Sequence, residues 1–403
     1  MQFLYTLSIR FLIFGIWIGQ LFNPKAKKWI SGRRAYWTKL PKLDRGKKIV
    51  WFHCASLGEF DQGLPLMNKI KASDNSVYLL VTFFSPSGYE HYTKRNHCVD
   101  YACYLPADLP RNANRFIAHF QPEEAYFVKY EFWCNFILEA KKQGTKLYSV
   151  CTIFRPEHRF FSWYGAFFRE TLRQMDHFFV QNETSVKLLS SIGVSQTTLV
   201  GDMRFDRVLE NKKQVKSDDT VERFLDGEKA FIIGSSWSVD EQFLSEEIRA
   251  YAQKGKVIIA PHDISEGHLN EIEKRFLEIL VRYRDYSEAN SQNILLIDSI
   301  GKLANLYQYG TFAYIGGGFT GSLHNILEPA VFGLPVMFGP KHKRFPEAQL
   351  FIDKGVGFEV ANTLQLQEAL IRIEKENWVE KLQKLVESQS GAADKIMNSI
   401  RLS

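Results

Sequence analysis

The chain has 403 residues, of which 45% are hydrophobic and 24% charged, and these globular values exclude a disordered, collagen-like or multi-span membrane protein. The formal charge is +6, but residues 1–48 alone carry eleven Lys or Arg against one Asp, a net +10 that leaves −4 for the rest. A nucleic-acid binder usually carries basic charge over its folded body, so this uneven distribution indicates an anionic membrane surface, and no nucleic acid, as partner.

The first predicted element is an apolar helix within residues 1–24. The apolar run Phe11–Leu21 is shorter than the ~20 residues of a standard membrane span, and extending it back to Phe3 includes Arg10. A basic cluster follows the run, which does not fit a cleaved signal peptide and would keep the main body in the cytoplasm. We therefore expect a membrane anchor or an interfacial helix, with a buried helix of a soluble domain as the alternative.

After Lys48, short apolar runs of strand character alternate with segments of helical spacing. This alternation predicts an α/β protein with parallel sheets covered by helices. A polar stretch near residues 205–225 separates two series of strands, which predicts two doubly wound domains, residues 25–207 and 208–403. The last helix could pack back on the first domain. The predicted strands are Ile49–His53, Val77–Thr82, Ala125–Val128, Lys146–Cys151, Phe178–Val180, Thr198–Val200, Phe231–Gly234, Val257–Ala260, Ile294–Ile297, Phe312–Ile315 and Pro335–Phe338, and the predicted helices include Phe132–Ala140, Leu269–Leu280 and Leu364–Ile373.

The five cysteines predict neither disulfides nor a zinc site. Their number is odd, their spacing contains no paired C-x-x-C pattern, and several fall in apolar strand-like runs. This usage is typical of a reducing compartment. The cysteines are Cys54, Cys98, Cys103, Cys134 and Cys151.

Three charged residues follow strands of the first series, where ligands of doubly wound sheets bind. Glu59, in Ser56-Leu-Gly58-Glu59, fits either a helix capping box with Ser56 or a general base at a strand end. Glu131 fits either a functional carboxylate or an acidic residue favoured by the dipole in the first turn of a helix. Arg204 fits either a cation that neutralises a leaving phosphate or a surface arginine.

A glycine-rich segment follows a strand of the second series. Gly316, Gly318 and Gly321 satisfy G-x-G-x-x-G, and we expect a helix after them whose N-terminus would hold a phosphate. The late position and the lack of an acidic residue about 20 residues further on weaken a dinucleotide site, whereas Glu328 could hold ribose hydroxyls. A glycine-rich turn beside a buried helix is the alternative. The loops containing His262 and residues 298–302 end strands of the same sheet and should converge on one pocket.

Several motifs in this order resemble the Kdo transferases of lipopolysaccharide synthesis, from about residue 49 to residue 360. They are Ser56-Leu-Gly-Glu59, Ser85-Pro-Ser-Gly88, Tyr104-Leu-Pro-Ala-Asp108, Glu131-Phe-Trp-Cys-Asn135, Gly201-Asp-Met-Arg-Phe-Asp206, Pro261-His262, Ile300-Gly301-Lys302-Leu303 and His324-Asn325-Ile-Leu-Glu328-Pro. The resemblance implies a GT-B glycosyltransferase, in which two Rossmann-like domains face a cleft, attached to the cytoplasmic face of a Gram-negative inner membrane.

The resemblance also implies a reaction and its residues. The enzyme would move Kdo from CMP-Kdo to a lipid A precursor, lipid IVA, with inversion of the anomeric centre. Glu59 matches the general base, and Glu131 and Arg204 match residues that support the transition state. The positions that match CMP-binding segments are Pro261, His262, Ile300, Gly301, Lys302, Asn325, Ile326, Leu327 and Glu328. His262 and Arg204 depart from the usual Arg and Lys, and Lys302 from a frequent Glu.

The expected partners are CMP-Kdo, the lipid A precursor and an anionic membrane surface, with no obligate protein partner. No cofactor is expected, and no metal, because CMP is a good leaving group and the sequence lacks a DxD-type pair near the nucleotide cluster. Three alternatives remain open. The chain could be another GT-B transferase that uses a UDP-sugar and a lipid-linked acceptor, an NAD-dependent oxidoreductase, or a non-catalytic membrane-surface binding protein.

Overall fold

The computed structural model describes residues 2–44 and 46–401, so Met1, Arg45, Leu402 and Ser403 lie outside the described part. Arg45 is one of the eleven basic residues counted in the N-terminal segment. The chain forms two compact units. The N-terminal unit comprises Met1–Arg207 with Gln389–Ser403, and the C-terminal unit comprises Val208–Ser388. The two units are described separately.

The N-terminal unit contains, within its described residues, a seven-stranded parallel sheet in the order β3-β2-β1-β4-β5-β6-β7. Its strands are β1 Ile49–Cys54, β2 Tyr78–Phe83, β3 Tyr101–Tyr104, β4 Glu124–Val128, β5 Lys146–Thr152, β6 His177–Val180 and β7 Thr197–Leu199. Its helices, up to the unit boundary, are α1 Gln2–Gly19, α2 Pro24–Gly32, α3 Leu57–Ser73, α4 Pro86–His91, α5 Pro110–Phe120, α6 Cys134–Lys142, α7 Ala166–Arg173, α8 Glu183–Ser191 and α9 Met203–Lys212.

Strand β1 shows why this sheet is buried on both faces. All six of its residues are buried, and successive side chains point to opposite faces of the sheet. Trp51 packs on one face with Phe127 and Phe116, at ring-centroid distances of 5.2 and 5.1 Å, while Phe52 stacks on Tyr126 on the other face at 4.6 Å. Helices therefore cover both faces, which leaves the strand ends as the part of the sheet open to a ligand.

The C-terminal unit has the same architecture, a seven-stranded parallel sheet within the described residues, in the order β10-β11-β9-β8-β12-β13-β14. Its strands are β8 Ala230–Ser236, β9 Lys256–Pro261, β10 Leu280–Arg282, β11 Ile294–Leu296, β12 Gly310–Ile315, β13 Val336–Phe338 and β14 Gly357–Glu359. Its helices are α10 Asp219–Leu225, α11 Ser238–Phe243, α12 Ser245–Ala252, α13 Glu266–Phe276, α14 Leu303–Leu306, α15 Leu327–Ala330, α16 Pro346–Asp353, α17 Thr363–Lys375 and α18 Val379–Gln389.

The last helix, α19 Ala392–Arg401, packs against α3 in the N-terminal unit. The Asp206 carboxylate accepts the backbone N–H groups of Gly391 and Ala392 at 3.0 and 3.2 Å, which binds the start of α19 to the end of the first series of elements. The residues from Gln389 onward therefore fold with the N-terminal unit, the arrangement that the sequence left open for the last helix.

The predicted strands are all present, with ends that differ by at most a few residues, and the structure adds β3, β10 and β14. These three are edge strands of three or four residues, too short for an apolar pattern to stand out. The helix predicted over Leu269–Leu280 is shorter than expected, because Leu277 adopts a φ of 28° and the chain then enters β10. All five cysteines are free.

Candidate functional site

Glu59 lies in the first turn of α3, directly after β1. Ser56 is the residue before the helix, but it makes no side-chain capping bond, and its hydroxyl donates to Oε2 of Glu59. Nζ of Lys129 lies 3.7 Å from Oε1 of Glu59. The capping-box alternative is therefore wrong, because the side chains of the two residues bind each other instead of the backbone. Both oxygens of the carboxylate have a partner, and the side chain keeps 16% of its surface exposed.

Lys129 reaches Glu59 because its backbone is left-handed, with a φ of 64°. Its N–H donates to the carbonyl of Val150 at 2.9 Å, and its carbonyl accepts the hydroxyl of Thr152 at 3.2 Å. A non-glycine residue in this region costs on the order of 1–3 kcal/mol and persists only where the surrounding structure holds it. The two hydrogen bonds to β5 supply that restraint.

Glu131 lies in the loop between β4 and α6, three residues before the helix begins. The dipole explanation for this residue is therefore wrong, since it is outside the first turn. The indole N–H of Trp133 lies 3.0 Å from Oε2 of Glu131 and 2.9 Å from Nε2 of His53. Because the indole only donates, Nε2 accepts, and the Nδ1 proton points to the Thr82 hydroxyl at 2.9 Å. A buried imidazole and an indole thus orient this carboxylate.

Arg204 lies in the first turn of α9, and Asp202 holds it. Nε and Nη2 of the guanidinium lie 2.8 and 2.6 Å from Oδ2 of Asp202, and the Arg204 backbone N–H donates to Oδ1 at 2.9 Å. The Arg204 side chain is 29% exposed. The planar guanidinium is therefore fixed in orientation while part of it remains accessible.

The structure brings the three predicted catalytic residues to the same edge of the sheet. Burial raises the pKa of the Cys54 thiol well above its usual range, and the charges of Glu59 and Glu131 raise it further, so both carboxylates lie near this thiol. Burial also raises the pKa of Tyr130; Glu59 adds to that shift, while Arg204 is one of two arginines that oppose it. Two carboxylates and a guanidinium therefore share one region at the strand ends.

In the C-terminal unit, three rings stack where β8, β9 and β12 end. The centroid of the His262 ring lies 4.3 Å from that of Trp237 and 4.5 Å from that of His324. Burial and the neighbouring His262 lower the pKa of His324 to about 4, so this imidazole is neutral at physiological pH. Within the described part of the chain, the buried Nε1 of Trp237 and Nε2 of His324 find no hydrogen-bond partner. Unpaired buried nitrogens of this kind are suited to binding a ligand.

The glycine segment does not form the expected phosphate site at a helix N-terminus. Residues 316–321 form turns, and the next helix, α15, begins only at Leu327 and has four residues. The Gly316 N–H donates to the carbonyl of Gly234 at 2.9 Å, and the Gly317 N–H to the buried Asp240 carboxylate at 3.1 Å. A Cβ on Gly316 would lie 2.2 Å from the carbonyl oxygen of Ser235. These glycines therefore serve close packing between strand ends, the alternative that the sequence left open.

The remaining predicted nucleotide-binding residues differ in accessibility. Ile326 and Leu327 are fully buried, so they position the segment and do not themselves offer accessible surface to a ligand. Asn325 donates through Nδ2 to Oε1 of Glu328 at 3.1 Å, and its Oδ1 accepts the Leu327 N–H at 3.1 Å. Pro261 is the buried last residue of β9. The structure thus gives this segment a fixed backbone with a polar Asn–Glu pair at its surface.

The loop after β11 carries the other three predicted positions. Ile300 is 86% exposed, and Gly301 needs its glycine because its φ is 88°. Nζ of Lys302 lies 2.8 Å from Oδ2 of Asp218 and 2.9 Å from the hydroxyl of Tyr283. These hydrogen bonds outweigh the effect of burial and keep the pKa of Asp218 below its usual value. Lys302 is therefore anchored by an anion of the protein itself.

The family model of 3-deoxy-D-manno-octulosonic-acid transferase (kdotransferase) matches residues 30–207. This chain is similar to the Kdo transferases over that region, and to full-length members over most of its length. A 3-deoxy-D-manno-octulosonic acid transferase of Aquifex aeolicus is 26% identical over 331 residues, 80% of this chain and 85% of that protein. One from Chlamydophila psittaci is 25% identical over 347 residues, 82% of this chain and 79% of that protein. These relatives support a glycosyltransferase, as the motifs predicted.

The fold comparison agrees with the predicted GT-B class. A putative UDP-N-acetylglucosamine 2-epimerase from Listeria monocytogenes superposes with a TM-score of 0.61 and 15% identity, covering 88% of this chain and 96% of that chain. At this identity the likeness concerns the fold alone. Two Rossmann-like domains, each with a parallel sheet, are confirmed for this chain. The apolar helix α1 and the similarity to Kdo transferases together indicate membrane association.

Reasoning from the sequence assigned no role to several residues of these sites. Lys129 and His53 stand two and three residues before recognised motifs, and only the fold shows that they contact Glu59 and Glu131, respectively. Trp237 and His324 form the ring stack with His262 in the C-terminal unit. The position of Trp237 directly after β8 is the cue that could have identified it, because parallel strands end together at one edge of a sheet. His324 comes nine residues after β12 and offers no such cue.

Proposed function

We propose that this protein transfers Kdo from CMP-Kdo to a lipid A precursor, lipid IVA, with inversion of the anomeric centre. The observation that carries the proposal is Glu59, a partly exposed carboxylate held by Ser56 and Lys129 at a strand end. Single inversion at a sugar carbon needs one carboxylate base opposite the leaving group. Similarity to the Kdo transferases supports Kdo as the sugar that is moved.

Glu59 acts as the general base in this proposal. It takes the proton of the acceptor sugar hydroxyl as that oxygen forms a bond to the anomeric carbon of Kdo. The bond from this carbon to the phosphate oxygen breaks, and CMP leaves with the electron pair. Lys129 and Ser56 position the carboxylate, so the base meets the hydroxyl without first reorienting.

Glu131 and Arg204 support the transition state in this proposal. The sugar becomes oxocarbenium-like as CMP leaves, so a fixed carboxylate stabilises the developing positive charge, as in glycoside hydrolysis. The guanidinium of Arg204 stabilises the opposite charge, the negative charge that grows on the leaving phosphate. The partners Trp133 and Asp202 hold both groups in place before the reaction.

The C-terminal unit binds CMP in this proposal. The stacked rings of Trp237, His262 and His324 offer flat apolar surface and two unpaired nitrogens, features that suit a nucleobase or ribose. The backbone of the Asn325–Glu328 segment and the loop with Ile300, Gly301 and Lys302 complete the donor site. We further propose that no metal is needed, since CMP is a good leaving group that cationic side chains stabilise.

The place of action in this proposal is the cytoplasmic face of the inner membrane. The acceptor is a phosphorylated, acylated lipid, and the basic N-terminal segment supplies attraction of ~1 kcal/mol for each basic residue near an anionic surface. The exposed apolar residues of α1 support the same location. No nucleic acid or obligate protein partner enters this scheme.

A product assay tests the proposal. The full chain is incubated with CMP-Kdo synthesised beforehand and separated from the synthesising enzyme, together with a tetraacylated lipid A precursor, with and without EDTA. The lipid is then analysed by mass spectrometry. We expect a gain of one or more Kdo units in both conditions. Glu59→Gln should reduce the rate by roughly 10²–10⁴-fold, the usual contribution of a general base. Glu170→Gln, an exposed glutamate on α7, is the matched control and should leave it unchanged.

Each other outcome has a distinct meaning. No mass gain with folded protein would overturn the donor and acceptor, and a panel of UDP-sugars would then test the transferase alternative. Equal rates for the wild type and Glu59→Gln would remove this residue as the base. Loss of activity with EDTA, restored by a divalent cation, would overturn metal independence.

A further inference from the structure

The helix α1 has two different faces. One face carries Phe3, Leu4, Leu7, Phe11, Phe14 and Ile18, whose exposed fractions run from 36% to 76%. Their spacing of three or four residues places them on a stripe along one side of the helix. Tyr5, Ile9, Ile13 and Ile16 form the opposite stripe; Ile9 is buried and the other three are half-buried. The helix is thus covered by protein on one side only.

The start of α1 is bonded to the body of the N-terminal unit. The Tyr5 hydroxyl donates to Oδ2 of the buried Asp108 at 2.6 Å, and its ring lies 5.6 Å from that of Phe167. Nε2 of Gln2 donates to Oδ1 of Asn135 at 3.1 Å. Asp108 and Asn135 follow β3 and β4, so the start of α1 lies at the strand ends where Glu131 is also found.

The chain after α1 returns to the same edge of the same unit. In α2, Trp29 is buried, and its ring lies 5.8 Å from that of Phe84. The guanidinium of Arg33 covers the Trp29 ring at 3.8 Å and donates to the carbonyls of Phe84 and Leu105, both at 2.9 Å. Phe84 and Leu105 directly follow β2 and β3. Both ends of the α1 segment are therefore attached at one edge of one sheet.

We infer that α1 lies in the plane of an anionic membrane surface, with its exposed apolar stripe in the lipid, and does not cross the bilayer. A spanning helix would carry its first turn to the opposite side from α2, whereas both are bound to one folded unit. Arg10 stands at the middle of the 18-residue helix, where a charge in a membrane span is unfavourable. In the interfacial plane it lies beside the headgroups.

Basic and aromatic residues near α1 support an anionic membrane surface as its binding partner. Lys25, Lys27 and Arg34 are exposed around α2, next to the apolar stripe, and match anionic headgroups. Trp163 and Tyr164 are 90% and 56% exposed, directly before the helix that carries Phe167, the ring against Tyr5. Exposed aromatic side chains of this kind prefer the membrane interface. The surface that meets the membrane thus includes residues outside α1.

The position of α1 at the membrane follows from its contacts alone, whereas its consequence for catalysis rests on the proposed function. Phe84 stacks on Trp133 with 4.9 Å between ring centroids, and Trp133 donates to Glu131. At the other end, Gln2 binds Asn135, four residues after Glu131. The membrane-bound segment therefore reaches residues that follow Glu131, Asn135 directly and Trp133 through Phe84, which would bring the site edge of the N-terminal unit close to a lipid acceptor.

The sidedness of the N-terminus tests the inference directly. The full chain carries one epitope tag at its N-terminus and another at its C-terminus, and is produced in a Gram-negative host. Protease is added to intact spheroplasts and, separately, to inverted inner-membrane vesicles. We expect both tags to be digested in the inverted vesicles and neither in spheroplasts. Digestion of the N-terminal tag from the side opposite to the C-terminal tag would overturn the inference.

Vesicle binding tests the apolar stripe and the lipid charge. The double variant Phe11→Ser with Phe14→Ser should bind phosphatidylglycerol-containing vesicles at least about tenfold more weakly than the wild type, because two exposed aromatic rings no longer enter the lipid. Ile371→Ser, which changes a 53% exposed apolar residue on α17, should bind like the wild type. Unchanged binding of the double variant, or equal binding to purely zwitterionic vesicles, would overturn it. Neither measurement depends on Kdo transfer, so its result stands apart from the product assay.

Discussion

The strand ends of the two units carry different chemistry on the same type of sheet. In the N-terminal unit they hold charged side chains in pairs, Glu59 with Lys129 and Arg204 with Asp202. In the C-terminal unit they hold a stack of Trp and His rings and a glycine turn whose N–H groups bind the protein itself. Moving a proton and stabilising charge need oriented ionic groups, whereas binding a nucleotide needs flat surface and close backbone.

The strand-end edges of the two sheets are also stabilised differently. A charged pair at 16–32% exposure keeps contact with water, so the cost of burying its charges is limited. The turn at Gly316 is buried and close-packed, and its geometry depends on the absence of a side chain. We therefore expect the C-terminal edge to be sensitive to added volume, and the N-terminal edge to changes of charge.

The largest expected effect comes from Gly316→Ala. The new Cβ would lie 2.2 Å from a backbone oxygen that cannot move alone, so the C-terminal unit should lose roughly 3 kcal/mol or more of its free energy of unfolding. Urea unfolding and soluble yield measure this loss. Gly267→Ala, in α13 with open space around the Cβ, is the control and should be stabilising by roughly 0.5–1 kcal/mol. Equal stability of the two variants would contradict the close-packing account.

An intermediate effect is a pH dependence of stability that arises from a buried titratable group. In both units burial favours the neutral form of such groups. Burial raises the pKa of Asp108 to about 6, against the hydrogen bonds of Tyr5 and of two backbone N–H groups. The folded state therefore binds this proton more tightly than the unfolded state. As the pH rises from below 4 to above 6, the N-terminal unit should lose roughly 3 kcal/mol of stability through this residue.

Hydrogen exchange of the α6 amides at several pH values checks this dependence. In Asp108→Asn that part of the pH dependence should be absent, because the amide does not titrate. Asp285→Asn, an exposed residue of the C-terminal unit, should retain the dependence of the wild type. The same slope in Asp108→Asn as in the wild type would show that Asp108 is not its source.

The smallest expected effect comes from His324→Phe, which preserves ring packing and removes the unpaired Nε2. If this nitrogen binds the donor, the KM for the CMP-sugar should rise roughly 3–10-fold, the value of one hydrogen bond, with kcat little changed. Steady-state kinetics with varied donor gives both constants. His97→Phe, which sits among rings of the N-terminal unit, should leave the KM for the donor unchanged. A fall in kcat alone would place His324 outside the donor site.

The sequence by itself determined the class of fold, because buried parallel strands appear in it as apolar runs. Such runs can be recognised without knowing which strands lie beside them. The sequence also placed Glu59, Glu131 and Arg204 after strands as candidate catalytic residues, a prediction that the product assay tests. It did not reveal β3, β10 or β14, since edge strands of three or four residues have too little apolar pattern. Nor did it show that the glycine turn is a packing device, because a G-x-G-x-x-G pattern looks the same whether its amides face a ligand or the protein.

Only the tertiary structure decided which residues act as partners. Lys129 reaches Glu59 because hydrogen bonds from β5 hold a left-handed backbone, and β5 is 17 residues or more away in the chain. Likewise, the apolar composition of α1 was evident from the sequence, whereas its two faces depend on which side the body covers. Local pattern specifies an element and its polarity, but the environment of a side chain is set by residues distant in sequence, and that environment determines what the side chain can do.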